Sequence, residues 1–299
     1  MTAPMADTPS DDRARAYDDG SWLELSSYCP ACGRWVAADD PAHQPVPLPA
    51  RLWIYTNYDC NLSCSYCLVS SNPWAERRGI GLGRVRRLLD EAHALGVAEV
   101  FFTGGEPFIL PEIYDMIAAA TPRFLTTVLS NAMIIRKNRL EKLKAVNHPN
   151  LRIQVSLDDS EPGVHDLYRG QGAWTRTMAG IRLLQESRVQ VRIATTVTPE
   201  GEPRVPAVRA FVRDVVGVPD EHHIVRPLLK RGFAETGMEV GKSDLIPEIT
   251  VDANGVYWHP VGTDADLLVT PELFPLRAAI EEIGERMKTV GTAGKQPFR

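Results

Sequence analysis

From Arg51 onward the chain repeats one pattern: a short run of β-branched and aromatic residues, then a longer stretch with helical spacing. The runs are RLWIYTN (51–57), VAEVFFTGG (97–105), FLTTVLSN (124–131), LRIQVSLDD (151–159), VQVRIATTV (189–197) and HHIVRPL (222–228). Helices are expected between them near 82–95, 111–120, 137–146, 173–187 and 205–216. Several runs are continuously apolar, as strands covered on both faces are. Repeated strand–helix units with right-handed crossovers give a parallel sheet. Six strands are too few for an eightfold barrel, so the expected fold class is α/β, a partial (β/α)6 barrel of the TIM type. The runs end in polar or glycine-bearing positions, among them Asn57, Gly104, Ser130, Ser156, Thr195 and Arg226. In parallel α/β folds the strand C-termini share one face, and ligands bind there.

The flanks differ from this core. Residues 1–27 are rich in Asp, Ala, Ser and Pro and read as disordered or loosely attached. Residues 28–50 hold a CxxC knuckle and a proline-rich linker, the barrel is expected over 51–235, and 236–299 forms an extension. That extension carries EITVDANGVYWHP, whose Asn-Gly marks a hairpin, and a terminal helix near 273–289.

Composition narrows the function classes. Hydrophobic residues at 44% and charged residues at 24% suit a soluble globular enzyme. A formal charge of −5 argues against broad nucleic-acid binding. No apolar run is long enough to span a membrane, and the first residues lack an apolar signal core, so a cytoplasmic setting is expected. Five cysteines, three of them clustered, make a poor disulfide framework and read better as metal ligands.

Cys60, Cys64 and Cys67 follow directly on the first strand. Thiolates suit iron–sulfur clusters, in which each iron takes one external ligand. Three cysteines leave a fourth iron open; the alternative is a structural metal with a remote fourth ligand such as histidine. The Cys-x3-Cys-x2-Cys spacing, with Tyr66 before the last cysteine, resembles the signature of the radical S-adenosylmethionine (SAM) enzymes. FFTGGEP (101–107), one strand–helix unit later, resembles the GGE motif of that family. The resemblance covers roughly 51–230. It implies a [4Fe–4S] cluster on the three cysteines, SAM on the open iron, and reductive SAM cleavage to a 5′-deoxyadenosyl radical that abstracts a substrate hydrogen. It further implies Tyr66 beside adenine and Gly104, Gly105 and Glu106 at the SAM amino group.

Three more segments match the family's strand ends. Ser156 and Arg169, in SLD and RG, are implied to hold the polar end of SAM, and Asn131, in LSNA, to approach its methionine. Thr195, Thr196 and VRPL (225–228) fall where adenosine is contacted. The plain readings are a helix cap at Ser156 or Asp158, a surface ion pair at Arg169, a turn at Asn131, and strand-forming threonines.

Cys29 and Cys32, in CPACG, form half of a zinc knuckle. A zinc there would need His43, His259, His222 or His223, or a partner subunit; a redox dithiol is the alternative. The ITVDANGVYWHP phrase resembles the opening of a SPASM or twitch-like extension, with its cysteines missing and His259 close to where one would fall. Peptide modification is disfavoured by that loss, and RNA modification by charge, which leaves a small molecule or cofactor precursor as the expected substrate. A flavodoxin- or ferredoxin-type protein is the expected reductant. A non-catalytic zinc or iron–sulfur protein is the competing class.

Overall fold

The computed structural model describes residues 27–37, 42 and 48–290. The segment 1–26, His43 and the proline-rich 43–47 lie outside the described residues. Six strands run parallel in chain order: β3 (Arg51–Asn57), β4 (Glu99–Gly104), β5 (Leu125–Ser130), β6 (Leu151–Ser156), β7 (Gln190–Val197) and β8 (His223–Pro227). Ahead of them β1 (Ser27–Cys29) and β2 (Arg34–Val36) form a separate antiparallel hairpin. The connections are α1 (Leu82–Leu95), α2 (Ile113–Ala120), α3 (Asn138–Ala145), α4 (Pro162–Arg169) with α5 (Ala173–Glu186), and α6 (Val205–Phe211). The architecture is mixed α/β with a mostly parallel central sheet, as the run pattern implied.

The helices form where apolar residues recur on one face. In α1, Val85, Leu88, Leu89, Ala92 and Leu95 make a buried stripe at helical spacing. Gly96 ends it in the left-handed conformation, its N–H closing on the His93 carbonyl. That stripe meets alternate strand residues, Leu52, Ile54, Val100 and Phe102, in one core. Each such aliphatic side chain contributes about 1.5–3 kcal/mol by leaving water.

The opposite strand face, inside the barrel, is polar. At the N-terminal ends Arg51, Glu99, Arg152 and Arg192 are buried, and Arg51 Nε donates to Glu99 at 2.9 Å. One layer higher the Trp53 ring stacks on Phe101 at 4.0 Å, and its indole N–H donates to Glu248 at 2.6 Å. A charged floor thus fills the lower barrel, and the volume above it faces the strand C-termini.

The C-terminal segment is not an appendage. β9 (Ile249–Val251) pairs parallel to β3 and becomes a seventh parallel strand. The expected Asn-Gly hairpin then turns into β10 (Val256–Tyr257), and β11 (Leu268–Thr270) forms the far edge. Tyr58 pins the turn through a 2.7 Å bond to Asp252. Trp258 is fully buried in the core. The final helix, α7 (Leu276–Val290), packs on α1. Helix α4 was not expected: its eight residues follow the turn-like DDSE and carry too short a pattern to read.

The N-terminal hairpin sits against α7, with Gly33 facing Arg277 and Pro30 facing Gly284. Cys29 is buried and Cys32 exposed at its turn. No group of three His, Cys, Asp or Glu suited to one metal ion occurs among the described residues. His223 bonds Thr195 at 2.8 Å and His259 stands on the barrel cavity. The possible zinc at Cys29 and Cys32 therefore finds no support among the described residues.

Candidate functional site

The C-terminal ends of the barrel strands enclose a cavity of about 220 Å³. One wall holds Cys60, Cys64 and Cys67; Gly104, Gly105, Asn131, Ser156 and Arg169 complete the near side, with Tyr66. Of the residues singled out in the sequence at the barrel, most line this one space, while Asn57, Glu106, Thr195 and Val225 do not.

The cysteine loop leaves β3 at Asn57 and returns through an Asp59–Asn72 bridge. Cys67 N–H donates to the Cys64 carbonyl, which turns the two thiols onto the same wall. Burial pushes the Cys60 thiol up to about 12 and the Cys64 thiol up to about 11. Such thiols lose their protons only to a cationic partner, and a metal centre supplies one. Nitrogen donors already point at the sulfurs: Ser71 N–H to Cys67 Sγ at 3.2 Å, and Asn131 Nδ2 to Cys60 Sγ at 3.9 Å. Three soft thiols that share a wall without converging on one ion fit a cluster with one thiolate per iron.

The paired glycines have a measurable reason. A Cβ on Gly104 would stand 2.2 Å from the Asn57 carbonyl oxygen, and one on Gly105 2.2 Å from that of Asp59. The end of β4 therefore presses directly on the chain leading into Cys60, held there by Gly105 N–H to Asn57 O and Glu106 N–H to Asp59 O. Their close approach is to the chain itself as well as to the cavity.

Glu106 points away from the cavity. It is fully buried and accepts from Ser130 Oγ at 2.9 Å, Asn131 N–H at 2.8 Å and Phe108 N–H at 3.2 Å. Burial raises its pKa to about 7 against the pull of those donors. These bonds lock β4 to the end of β5.

Asp158 organises the opposite side. It accepts from Arg169 Nε at 2.6 Å and Nη2 at 3.2 Å, from the Tyr66 hydroxyl at 2.5 Å, and from Thr196 N–H at 3.2 Å. Burial alone would raise its pKa; Arg169 outweighs that and holds it below the ordinary aspartate value. The Arg169 guanidinium also lies 5.4 Å from the Tyr66 ring centre. Arg169 is thus a buried pair, not a surface one, and Asp158 is a hub, not a helix cap. Ser156 has no described hydrogen-bond partner and opens to the cavity.

The lining also includes Arg226, Glu248 and His259, and Arg226 lies within electrostatic range of Tyr66, Arg169 and Asp158. Arg226 forms no ion pair among the described residues, and burial lowers its pKa. His259 Nδ1 accepts from Val261 N–H, and burial holds the ring near 4, hence neutral. Their signal in the sequence was weak: Arg226 at a strand end, His259 in a cysteine's place, and none for Glu248.

The sequence pattern of the radical SAM superfamily matches residues 54–209, more than half the chain. The AdoMet-dependent heme synthase of Nitratidesulfovibrio vulgaris is 30% identical over 141 residues, 46% of this chain and 38% of that one. The subtilosin biosynthesis protein AlbA of Bacillus subtilis is 29% identical over 56% of this chain and 38% of its own. The PqqA peptide cyclase of Gluconobacter oxydans is 30% identical over 57% of this chain and 48% of its own. The matched region thus spans less than half the length of these relatives. Among solved structures, anSMEcpe with bound AdoMet superposes with a TM-score of 0.63 at 13% identity, covering 83% of this chain and 85% of that one. Streptococcus suis SuiB bound to S-adenosylmethionine gives 0.56 at 17% identity over 84% of this chain and 51% of that one. No helix among the described residues is long and apolar enough to cross a membrane. The sequence match over the barrel and the shared fold lead to one conclusion: the chain belongs to the radical SAM superfamily.

Proposed function

We propose that this enzyme holds a [4Fe–4S] cluster at Cys60, Cys64 and Cys67 with SAM beside it, and takes a hydrogen from a small substrate bearing an anionic group. Held by these three thiolates, such a cluster would supply one-electron reduction of SAM and, through it, the radical chemistry that removes the hydrogen. A one-electron donor of flavodoxin or ferredoxin type provides the electron.

The observation that carries this reading is the common cavity, in which the three thiols, Gly104, Gly105, Ser156 and Arg169 meet. Arg169, fixed by Asp158, offers its remaining guanidinium edge to the SAM carboxylate, and Ser156 a hydroxyl beside it. Asn131, tied to Asn61 at 2.9 Å, braces the cluster loop. Tyr66 presents a ring face whose tilt its bond to Asp158 fixes. Arg226, which forms no ion pair among the described residues, takes the anionic group of the substrate, and the neutral His259 lines the same cavity.

Peptide modification is the second reading, favoured by the relatives: AlbA serves subtilosin biosynthesis, and one SuiB structure holds a precursor peptide. The test is anaerobic. The protein, reconstituted with iron and sulfide, is given SAM and dithionite, and 5′-deoxyadenosine is measured. It should form with the cysteines intact and vanish in the Cys60/Cys64/Cys67→Ala variant; equal formation by both ends the cluster assignment. Arg169→Ala should weaken SAM binding at least tenfold and Arg226→Ala less than twofold. Equal losses would give Arg226 to SAM and remove the argument for an acidic substrate. Faster cleavage with small carboxylic acids supports the first reading, and with peptides the second.

A further inference from the structure

The turn after Cys67 contains a hydroxyl without an explained purpose. Ser71 is 2% exposed, lines the cavity, and its Oγ has no hydrogen-bond partner. Buried hydroxyls are ordinarily paired, because leaving water without a partner is costly. The same residue's backbone N–H already donates to Cys67 Sγ at 3.2 Å. The Oγ is one rotatable bond away from that N–H; as placed it bonds neither that sulfur nor any other group, and it lines the cavity on which Cys67 also lies.

The backbone is bent to bring this about. Ser70 has φ of 53°, the left-handed region that a non-glycine residue adopts at a cost. Ser70 N–H caps the Cys67 carbonyl, and Phe233 N–H bonds that same carbonyl from the opposite side. Gly232 allows the approach, since a Cβ there would lie 2.1 Å from the Cys67 oxygen. Two segments distant in sequence thus fix the Cys67 carbonyl, and the turn they fix aims the Ser71 backbone N–H at the sulfur.

We propose that Ser71 is a positioning residue for the electronics of the cluster: its hydroxyl donates to the Cys67 thiolate or to an adjacent cluster sulfide, beside its own backbone N–H. Hydrogen bonds to cluster sulfurs set reduction potential. Reduction adds negative charge that spreads onto the sulfurs, so a donor there binds the reduced state more strongly and raises the potential. Loss of the hydroxyl makes the cluster harder to reduce. The inference rests on the cluster lying at Cys60, Cys64 and Cys67, and it concerns a residue outside the three-cysteine motif.

The test compares wild type, Ser71→Ala and Ser71→Thr, each reconstituted with iron and sulfide and titrated anaerobically with dithionite under EPR. Iron content and the reduced-cluster signal report whether the cluster is present; the midpoint reports the proposal. Ser71→Ala should carry the same iron and shift the reduction equilibrium about tenfold toward the oxidised state, ~59 mV more negative for one electron. Ser71→Thr, which keeps the hydroxyl, should stay near wild type. A Ser71→Ala midpoint equal to wild type overturns the proposal. So does Ser71→Thr shifting as far as Ser71→Ala, since the cause would then be packing. Wild type that binds no cluster removes the cluster assignment itself, and this inference with it.

Discussion

Asp158→Ala is the substitution whose cost the structure defines best. The carboxylate is 4% exposed and joins Arg169, Tyr66 and Thr196. Its loss leaves the Arg169 guanidinium, itself 7% exposed, without its partner, together with a buried tyrosine hydroxyl. Removing one member of a buried ion pair costs about 3–5 kcal/mol, because the other charge remains desolvated. At roughly 2 °C per kcal/mol for a chain of this size, the melting temperature should fall by ~8 °C. The effect is a coupling, so the double variant Asp158→Ala/Arg169→Met should recover much of it and lie well above the sum of the single losses. Thermal unfolding of the three cluster-free variants by circular dichroism measures this. SAM binding to the reconstituted proteins should weaken in both single variants, in Asp158→Ala because Tyr66 and Arg169 lose the group that orients them and in Arg169→Met because the guanidinium itself is gone. If Asp158→Ala melts within 1 °C of wild type, or the single losses simply add, the charge hub is refuted.

Glu106 makes a pH signature. Burial raises its folded pKa from 4.5 to about 7, so the folded state holds the proton more tightly. Its contribution to stability is therefore full below pH 4.5 and is lost as pH rises through 7. At about 1.36 kcal/mol per pH unit, that interval is worth ~3 kcal/mol. Relative to Glu106→Gln, wild type should lose stability between pH 4.5 and 7 in urea unfolding; parallel curves would contradict it. Gly105→Ala places a methyl 2.2 Å from the Asp59 carbonyl oxygen and should displace the loop into Cys60. Reconstituted iron content should then drop by more than half, and an unchanged content would show that the strand end can yield. Gly232→Ala combines a 2.1 Å clash at the Cys67 oxygen with φ of 61° and should lose iron likewise, whereas Gly163→Ala, which meets nothing within 4 Å, should not.

The strand starts and ends of the barrel were legible because period-two runs and helical stripes are properties of a few consecutive residues. RLWIYTN is β3 residue for residue, and the stripe over 82–95 is α1. The cysteine spacing and the paired glycines were legible for the same reason, since their geometry is set within one loop. What the glycines touch was not: the filled spaces at Gly104 and Gly105 belong to Asn57 and Asp59, on another strand.

The remainder depends on pairs far apart in the chain. Asp158 meets Tyr66 across 92 positions, and Trp53 meets Glu248 across 195. No local pattern distinguishes an aspartate that caps a helix from one that holds a buried arginine, or a glutamate facing a ligand from one turned onto a neighbouring strand. The sequence by itself determined the order of strands and helices, the thiol triplet and the end of the barrel on which it lies, because backbone preference and hydrophobic period act over short range. Only the tertiary structure decided that β9 joins β3, that Glu106 turns onto Ser130, that Asp158 governs Arg169 and that Phe233 bonds the Cys67 carbonyl, because burial and charge pairing are fixed by which distant segments the closed sheet brings into contact.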